Sequence, residues 1–580
     1  MTRKNSLGPP AQQEGRPGED EAGVAKPPAR RNRAAIVASG IFSSRLIGFL
    51  RERVVAHYFG VGALTDVIST AFRGPNALQV LFGEQTLSAA FIPIYSRLLE
   101  EGREEEAGRF AGAIFGLLLA AAACLSIVGV LLARPFVAVF ALGYLNDAAE
   151  VARGEASVDR YELAVAAVRW IFPMTGILVL SAWALGILNS HRRFFLPYFA
   201  PVLWNAAIIA MVALAAGEWG HILPSSWDHA SDPSGLVIPV CVGALFGGGL
   251  QFLVQLPLVA RLVSGFRLSF STRVEGVREA LKAFGPVIAG RGVVQLSLYL
   301  DHFLAGFLVA GAPSAIRWAS VLYALPISVF AMSVAAAELP ELSRLQRGRE
   351  EEILERVTRS LRQIAFLVIP TAVGYLAFGY LIVGAVYRTG QFAVNDQWLV
   401  YGVLAVYTLG MPASTASRLL QNLFYSLGDT KTPAKVAFGR VVVAAVVGIA
   451  AMIWFDRFPV AATLGLGPQE RTLHFGAMGL ALGSALGSWG EIYWLRRALR
   501  GRLEGFRLPW RGVLVMAGLA LASALPAALL WKVLPALHYA LAGALVVATY
   551  ALTYLAAAYG LGLSEAQSWI GRLRRRRSGG

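Results

Sequence analysis

Charge is scarce in this chain of 580 residues: Asp, Glu, Lys and Arg together make up 15% of it, where a soluble protein carries about 25%. So few charges cannot coat a water-facing surface of this size. Soluble enzymes, disordered chains and ordinary nucleic-acid-binding domains are thereby excluded. Cysteine is nearly absent as well. Cys124 and Cys241 both sit in apolar runs, which leaves no disulfide framework, no CxxC redox pair and no cysteine zinc cluster. What is abundant is apolar, with 56% of positions in the set AVILMFWYC and a mean hydropathy of +0.57. This is membrane composition.

A membrane span needs about 20 mostly apolar residues. Fourteen such runs lie between charge clusters, the first at 35–59 and the last at 536–561. Lys and Arg accumulate on the cytoplasmic side of short loops. The N-terminal tail carries Arg3, Lys4, Arg16, Lys26, Arg30, Arg31 and Arg33. The even-numbered connections are basic too: Arg192 and Arg193; Arg261 to Lys282; Lys431 and Lys435; Arg496 to Arg511. The 217–234 loop, by contrast, has Glu218, Asp228 and Asp232 and no Lys or Arg. Both termini are therefore expected in the cytoplasm, and the net charge of +16 is explained by topology and anionic lipid, with no call for nucleic acid.

The chain also repeats itself. Span two ends in Pro93, Ser96-Arg97-Leu98 and Gly102-Arg103-Glu104-Glu105-Glu106, and span eight in Pro340, Ser343-Arg344-Leu345 and Gly348-Arg349-Glu350-Glu351-Glu352. Pro75 matches Pro326, and the seven-residue step from Ser190 to Pro197 recurs from Ser426 to Pro433. A repeat of six spans keeps its orientation in the membrane, so the two copies are parallel. The expected fold is an all-α polytopic membrane protein of about fourteen transmembrane helices, two six-helix lobes plus two C-terminal helices. The divisions are a basic N-terminal tail at 1–34, an N-lobe at 35–262, a C-lobe at 263–500, two added spans at 501–562 and a basic tail at 563–580.

Ionisable residues inside spans cost about 2.5–3.5 kcal/mol each on insertion scales and need a reason. They cluster early. Span one holds Arg45, Arg51, Glu52 and Arg53, and span two holds Asp66, Arg73 and Glu84. Arg45 and Glu52 share a helix face, as do Asp66, Arg73 and Glu84, giving a polar stripe about 27 Å deep. Such a stripe must face a wet cavity or partner charges. Buried ion pairs of Arg45 with Glu52, and of Arg73 with Asp66 or Glu84, would account for single residues. Arginine exceeds what pairing needs, however, and its planar fork suits phosphate or pyrophosphate. In the other lobe Arg291, Arg317 and Arg418 are further cations in spans, and Asp301 is a candidate cation or proton site.

These residues carry a resemblance. The runs Ser44-Arg45-Leu46-Ile47-Gly48-Phe49-Leu50-Arg51-Glu52, Arg73-Gly74-Pro75-Asn76, Phe82-Gly83-Glu84 and Gly428-Asp429-Thr430-Lys431-Thr432-Pro433 make the chain similar to the MurJ (MviN) family of lipid II flippases. That family lies in the superfamily of multidrug antiporters and polysaccharide-precursor flippases. The resemblance implies a bacterial inner-membrane transporter of a polyprenyl-pyrophosphate-linked disaccharide-pentapeptide. It implies alternating access, driven by an ion gradient or the membrane potential, and substrate-binding roles for Arg45, Arg51, Glu52, Asp66, Arg73 and Glu84. Arg291 and Arg317 join them as cations of the second lobe.

The chain departs from the family pattern at three places. Gln79 and Val321 stand where arginines are usual, with Arg317 one turn before Val321, and span eleven lacks the Asn or Asp that family members can use for a cation. Either other arginines substitute or the cargo is another polyprenyl-pyrophosphate glycan. An ion-coupled exporter of organic cations is a rival reading; it would need a cavity dominated by carboxylates and aromatics. A membrane enzyme acting on prenyl lipids would need an acidic metal cluster, and no Asp-Asp pair occurs. No cofactor is expected.

Overall fold

A computed structural model describes residues 30–83, 86–87, 90–154, 158–217, 233–285, 301–328, 350–427, 429, 431–469, 471–501, 505–534 and 539–567. Among these the chain is helical and has no strand. Without water in the bilayer core each backbone group must be satisfied within its own segment, and a helix does that. Nine of the described helices are long and apolar enough to cross a membrane.

The first half contains α1 (Arg30–Phe59), α2 (Ala63–Phe82), α3 (Ile92–Glu100), α4 (Glu104–Leu131), α5 (Arg160–Ser190), α6 (Pro201–Ala215) and α7 (Val237–Leu253). The second contains α8 (Ala312–Pro326), α9 (Glu350–Tyr387), α10 (Val394–Ser426), α11 (Lys431–Phe455) and α12 (Gly476–Arg500), followed by α13 (Trp510–Val533) and α14 (Tyr539–Gly560). In the first half α5 is the hub, packed against α2, α4 and α7 and almost wholly enclosed. In the second, α10 packs on α8, α9 and α12, while α11 turns most of its surface outward. The last two helices pack on each other and on α9.

Small residues let these helices approach closely. Gly479, Gly483 and Gly487 recur every fourth residue on α12, and a Cβ on Gly483 would lie 2.4 Å from the Ala444 carbonyl oxygen of α11. Prolines inside helices leave the carbonyl four residues earlier without its donor. Two tyrosines repair this: Tyr554 Oη donates to the Phe366 carbonyl below Pro370 (3.0 Å), and Tyr375 Oη to the Leu322 carbonyl below Pro326 (2.8 Å). The first ties α14 to α9, the second α9 to α8.

The connection after α7 lies along the first half. Residues 264–269 run over Gly108 and Gly112 of α4, where added Cβ atoms would meet the carbonyl oxygens of Ser264 and Arg267 at 1.8 and 2.1 Å. Arg97 pairs with Glu279 at 2.9 Å and Arg103 with Glu275 at 2.6 Å. The charges of the Gly-Arg-Glu-Glu-Glu run thus include a clamp on this connection.

Candidate functional site: a basic cavity between the two halves

The arginines of α1 lie on a gradient of exposure. Arg45 is exposed, Arg51 is partly covered, and from Val55 to Gly62 the chain is mostly buried. Glu52 is the only described carboxylate among the first-half arginines of this cluster. Its partners are Arg51, beside it in sequence, and Arg317 of α8, whose Nε and Nη2 donate to Oε2 and Oε1 at 3.1 and 3.0 Å. Arg317 Nη1 also reaches Ser69 Oγ at 3.4 Å. Glu52 is therefore paired across the two halves rather than with Arg45 along its own helix. Arg51 is held over the Trp204 ring at 4.9 Å, and Trp204 Nε1 donates to the Ala244 carbonyl at 3.1 Å. Arg45 Nη1 donates to Ser328 Oγ at 2.7 Å, just beyond α8.

Ser328 also lines a cavity of about 440 Å³ in the second half, whose charged and hydroxyl groups include Asp301, Tyr407, Arg418, Arg440 and Ser484. Asp301 Oδ2 accepts from Ser484 Oγ at 2.6 Å and from Tyr407 Oη at 3.2 Å. Arg73 of α2 is close enough to Asp301 for their charges to interact. Arg440 pairs with Glu491 at 3.1 Å, and Gln421 holds the other oxygen of that carboxylate at 2.6 Å. Arg440 and Glu491 had no local sequence signal as a pair; their meeting depends on the close packing of α11 on α12. Among the described residues the site gathers Arg45, Arg51, Arg73, Arg317, Arg418 and Arg440 against Glu52, Asp301 and Glu491. Its balance is positive. Glu84 and Arg291 lie outside the described residues.

Asp66 is elsewhere. It is fully buried beyond the cavity and accepts the backbone N–H groups of Gly311 (2.6 Å) and Ser314 (2.9 Å) at the start of α8. A carboxylate at a helix N-terminus satisfies orphan donors and meets the positive end of the helix dipole. Around it the two halves touch. Val61 N–H donates to Asp396 Oδ2 of α10 at 3.0 Å, Gln391 N–H to the His57 carbonyl at 2.8 Å, and Gly143 lies against the Gly306 carbonyl. The end of the bundle where α1 finishes is closed by backbone-level contacts, and the arginine cavity lies on the other side of that seal.

Nine apolar spans among the described residues, with arginines and carboxylates that join α1 to α8 beside a charged cavity, form the architecture of a membrane transporter. A family model described as Lipid II flippase MurJ matches residues 55–556. The chain belongs to that family. A probable lipid II flippase MurJ of Rhizobium meliloti (strain 1021) is 30% identical over 550 residues, covering 91% of this chain and 93% of the relative. A lipid II flippase MurJ of Burkholderia cenocepacia is 31% identical over 417 residues, 71% of this chain and 76% of the relative. In fold, the chain is similar to a lipid II flippase MurJ solved in an inward closed conformation, with a TM-score of 0.68 at 21% identity over 91% of this chain and 99% of that one. It is more distantly similar to an inward-facing multidrug resistance MATE family transporter of the MOP superfamily, with a TM-score of 0.54 at 15% identity over 81% and 98%.

Proposed function

We propose that the protein turns lipid II, the lipid-linked peptidoglycan precursor, from the cytoplasmic to the outer leaflet of the bacterial inner membrane by alternating access. The observation that carries this reading is the arginine excess of the cavity. Glu52 is already shared by Arg51 and Arg317, so Arg45 and Arg51 retain donors for an anionic headgroup, and guanidinium forks match pyrophosphate. An organic cation would be repelled by the same balance. In this reading the lobes are 35–262 and 263–500, with 501–562 appended. Both termini are cytoplasmic, and the closed end at Gly60–Gly62 faces outward.

Arg45, Arg51, Arg73 and Arg317 bind the pyrophosphate, and Glu52 orients Arg51 and Arg317. Arg291 and Glu84 belong to the same set by sequence. Asp66 holds the outer end shut, and Asp301, bonded to two hydroxyls, is the site for a coupling proton or cation. The sugar and peptide occupy the cavity of Arg418 and Arg440, and the prenyl chain stays in lipid.

The test replaces Arg45, Arg51 and Arg73 by alanine in cells whose own flippase is depleted and labels outer-leaflet lipid II. Loss of labelling with normal membrane levels of protein is expected; normal labelling would demote the cavity to structure. Binding of purified protein to lipid II against an undecaprenyl-pyrophosphate carrying another glycan decides the cargo.

A further inference from the structure

The loop between α11 and α12 reaches the seal. Its base is built: Val460 N–H donates to the Leu473 carbonyl at 2.8 Å, Phe475 N–H to the Phe458 carbonyl at 3.1 Å, and Pro459 and His474 form an antiparallel bridge. From this base Arg471 extends across to the other half. Its Nη1 donates to the carbonyls of Val61 (3.0 Å) and Phe59 (3.3 Å), and its Nη2 to Gln391 Oε1 at 3.5 Å. Asp396 Oδ2, the acceptor of Val61 N–H, is 4.0 Å from Nη1. The Arg471 carbonyl is itself held by Asn395 Nδ2 at 3.0 Å.

Phe59 ends α1, so its carbonyl is one of the orphan acceptors of a helix C-terminus, where a cation is favoured. The turn is shaped to the guanidinium. Gly60 has φ +59°, and a Cβ there would stand 2.5 Å from Arg471 Nη1 and 2.4 Å from the Gln391 carbonyl oxygen. One side chain from the second half therefore grips the end of the helix that carries Arg45 and Arg51.

We propose that Arg471 is a positioning residue, a latch that holds the outer end closed while the arginine cavity is loaded and that must release α1 before the cavity opens outward. The latch rests on the alternating-access reading and its topology, but its test does not depend on the cargo. In a chain with Cys124→Ala and Cys241→Ala, the cavity-lining Ser320 is replaced by cysteine, and labelling by a membrane-impermeant maleimide is followed from the outside of intact cells. Gln469→Cys, on the exposed tip of the loop, is the reference site.

With Arg471 intact, Ser320→Cys is expected to react slowly; Arg471→Ala should speed it at least about fivefold, and Arg471→Lys, which keeps the charge but not the fork, should fall between. Equal Ser320→Cys rates in all three, with Gln469→Cys reacting alike, would overturn the latch. Arg471→Lys carries the same readout if Arg471→Ala does not reach the membrane. Labelling of Gln469→Cys only from the cytoplasmic side would instead sink the proposed topology. Failure of lipid II labelling to respond to the cavity substitutions would sink the flippase reading and leave the labelling result standing.

Discussion

At the scale of single residues, Glu52 is the fulcrum of the cavity. A carboxylate shared by two guanidinium groups in a partly desolvated place leaves two unpaired cations when it is removed, which costs more than the pair contributes. Glu52→Gln should therefore destabilise the protein more than Glu52→Gln combined with Arg317→Gln does relative to Arg317→Gln alone. The double-mutant cycle, read by thermal unfolding in detergent, should give a coupling of about 0.5–3 kcal/mol; additive effects would mean that the cross-half pair contributes nothing. The sequence placed both residues in spans and suggested a cavity, but it could not pair them, because periodicity gives the face of a helix and not the identity of its neighbour. Asp66 shows the same limit. It reads as one member of a stripe on α2, whereas its partners are backbone groups 245 and 248 positions away.

At the scale of elements, more was legible. Ser190 and Ser426, matched by spacing alone, are the last residues of α5 and α10, because both helices stop where the chain must leave the bilayer and turn toward a proline. The close contact between α4 and the 264–269 segment was not legible, since glycine spacing on a helix is compatible with any close neighbour. The tyrosine links at Pro326 and Pro370 were equally hidden, although their cause is local. Tyr375→Phe leaves the Leu322 carbonyl without a donor in an apolar surrounding, and a loss of about 1–3 kcal/mol is expected. Thermal unfolding of the purified variant checks this, and an unchanged midpoint would show that the carbonyl finds another donor.

At the scale of the whole molecule, the described residues bring the two halves together at one end through close contacts around Gly60–Gly62 and Gly311, with the Glu52–Arg317 pair and the basic cavity beyond them. Gly143 is such a contact: a Cβ there would lie 1.8 Å from the Gly306 carbonyl oxygen. Gly143→Val should push the halves apart, cost about 1–3 kcal/mol as overpacking does, and raise outside labelling of Ser320→Cys even with Arg471 in place. If the variant is as stable as its parent and its labelling rate is unchanged, the Gly143 contact is not part of the seal. The repeat seen in the sequence has a counterpart at the seal. The glycines that open α2 and α8 are Gly62 and Gly311, and Asp66 bonds to Ser314 at an offset of 248, between the 247 residues from Pro93 to Pro340 and the 251 from Pro75 to Pro326. The corresponding helix starts of the two halves therefore lie against each other.

The placement of Arg51 over Trp204 gives the transport cycle an optical handle. An indole whose face is covered by a guanidinium and whose N–H is fixed to a neighbouring helix emits according to where that charge lies. A headgroup that draws Arg51 away would brighten, dim or shift that emission, and the signal would vanish in Trp204→Phe. The occupancy of the cavity is then written in the protein's own fluorescence, with no label added.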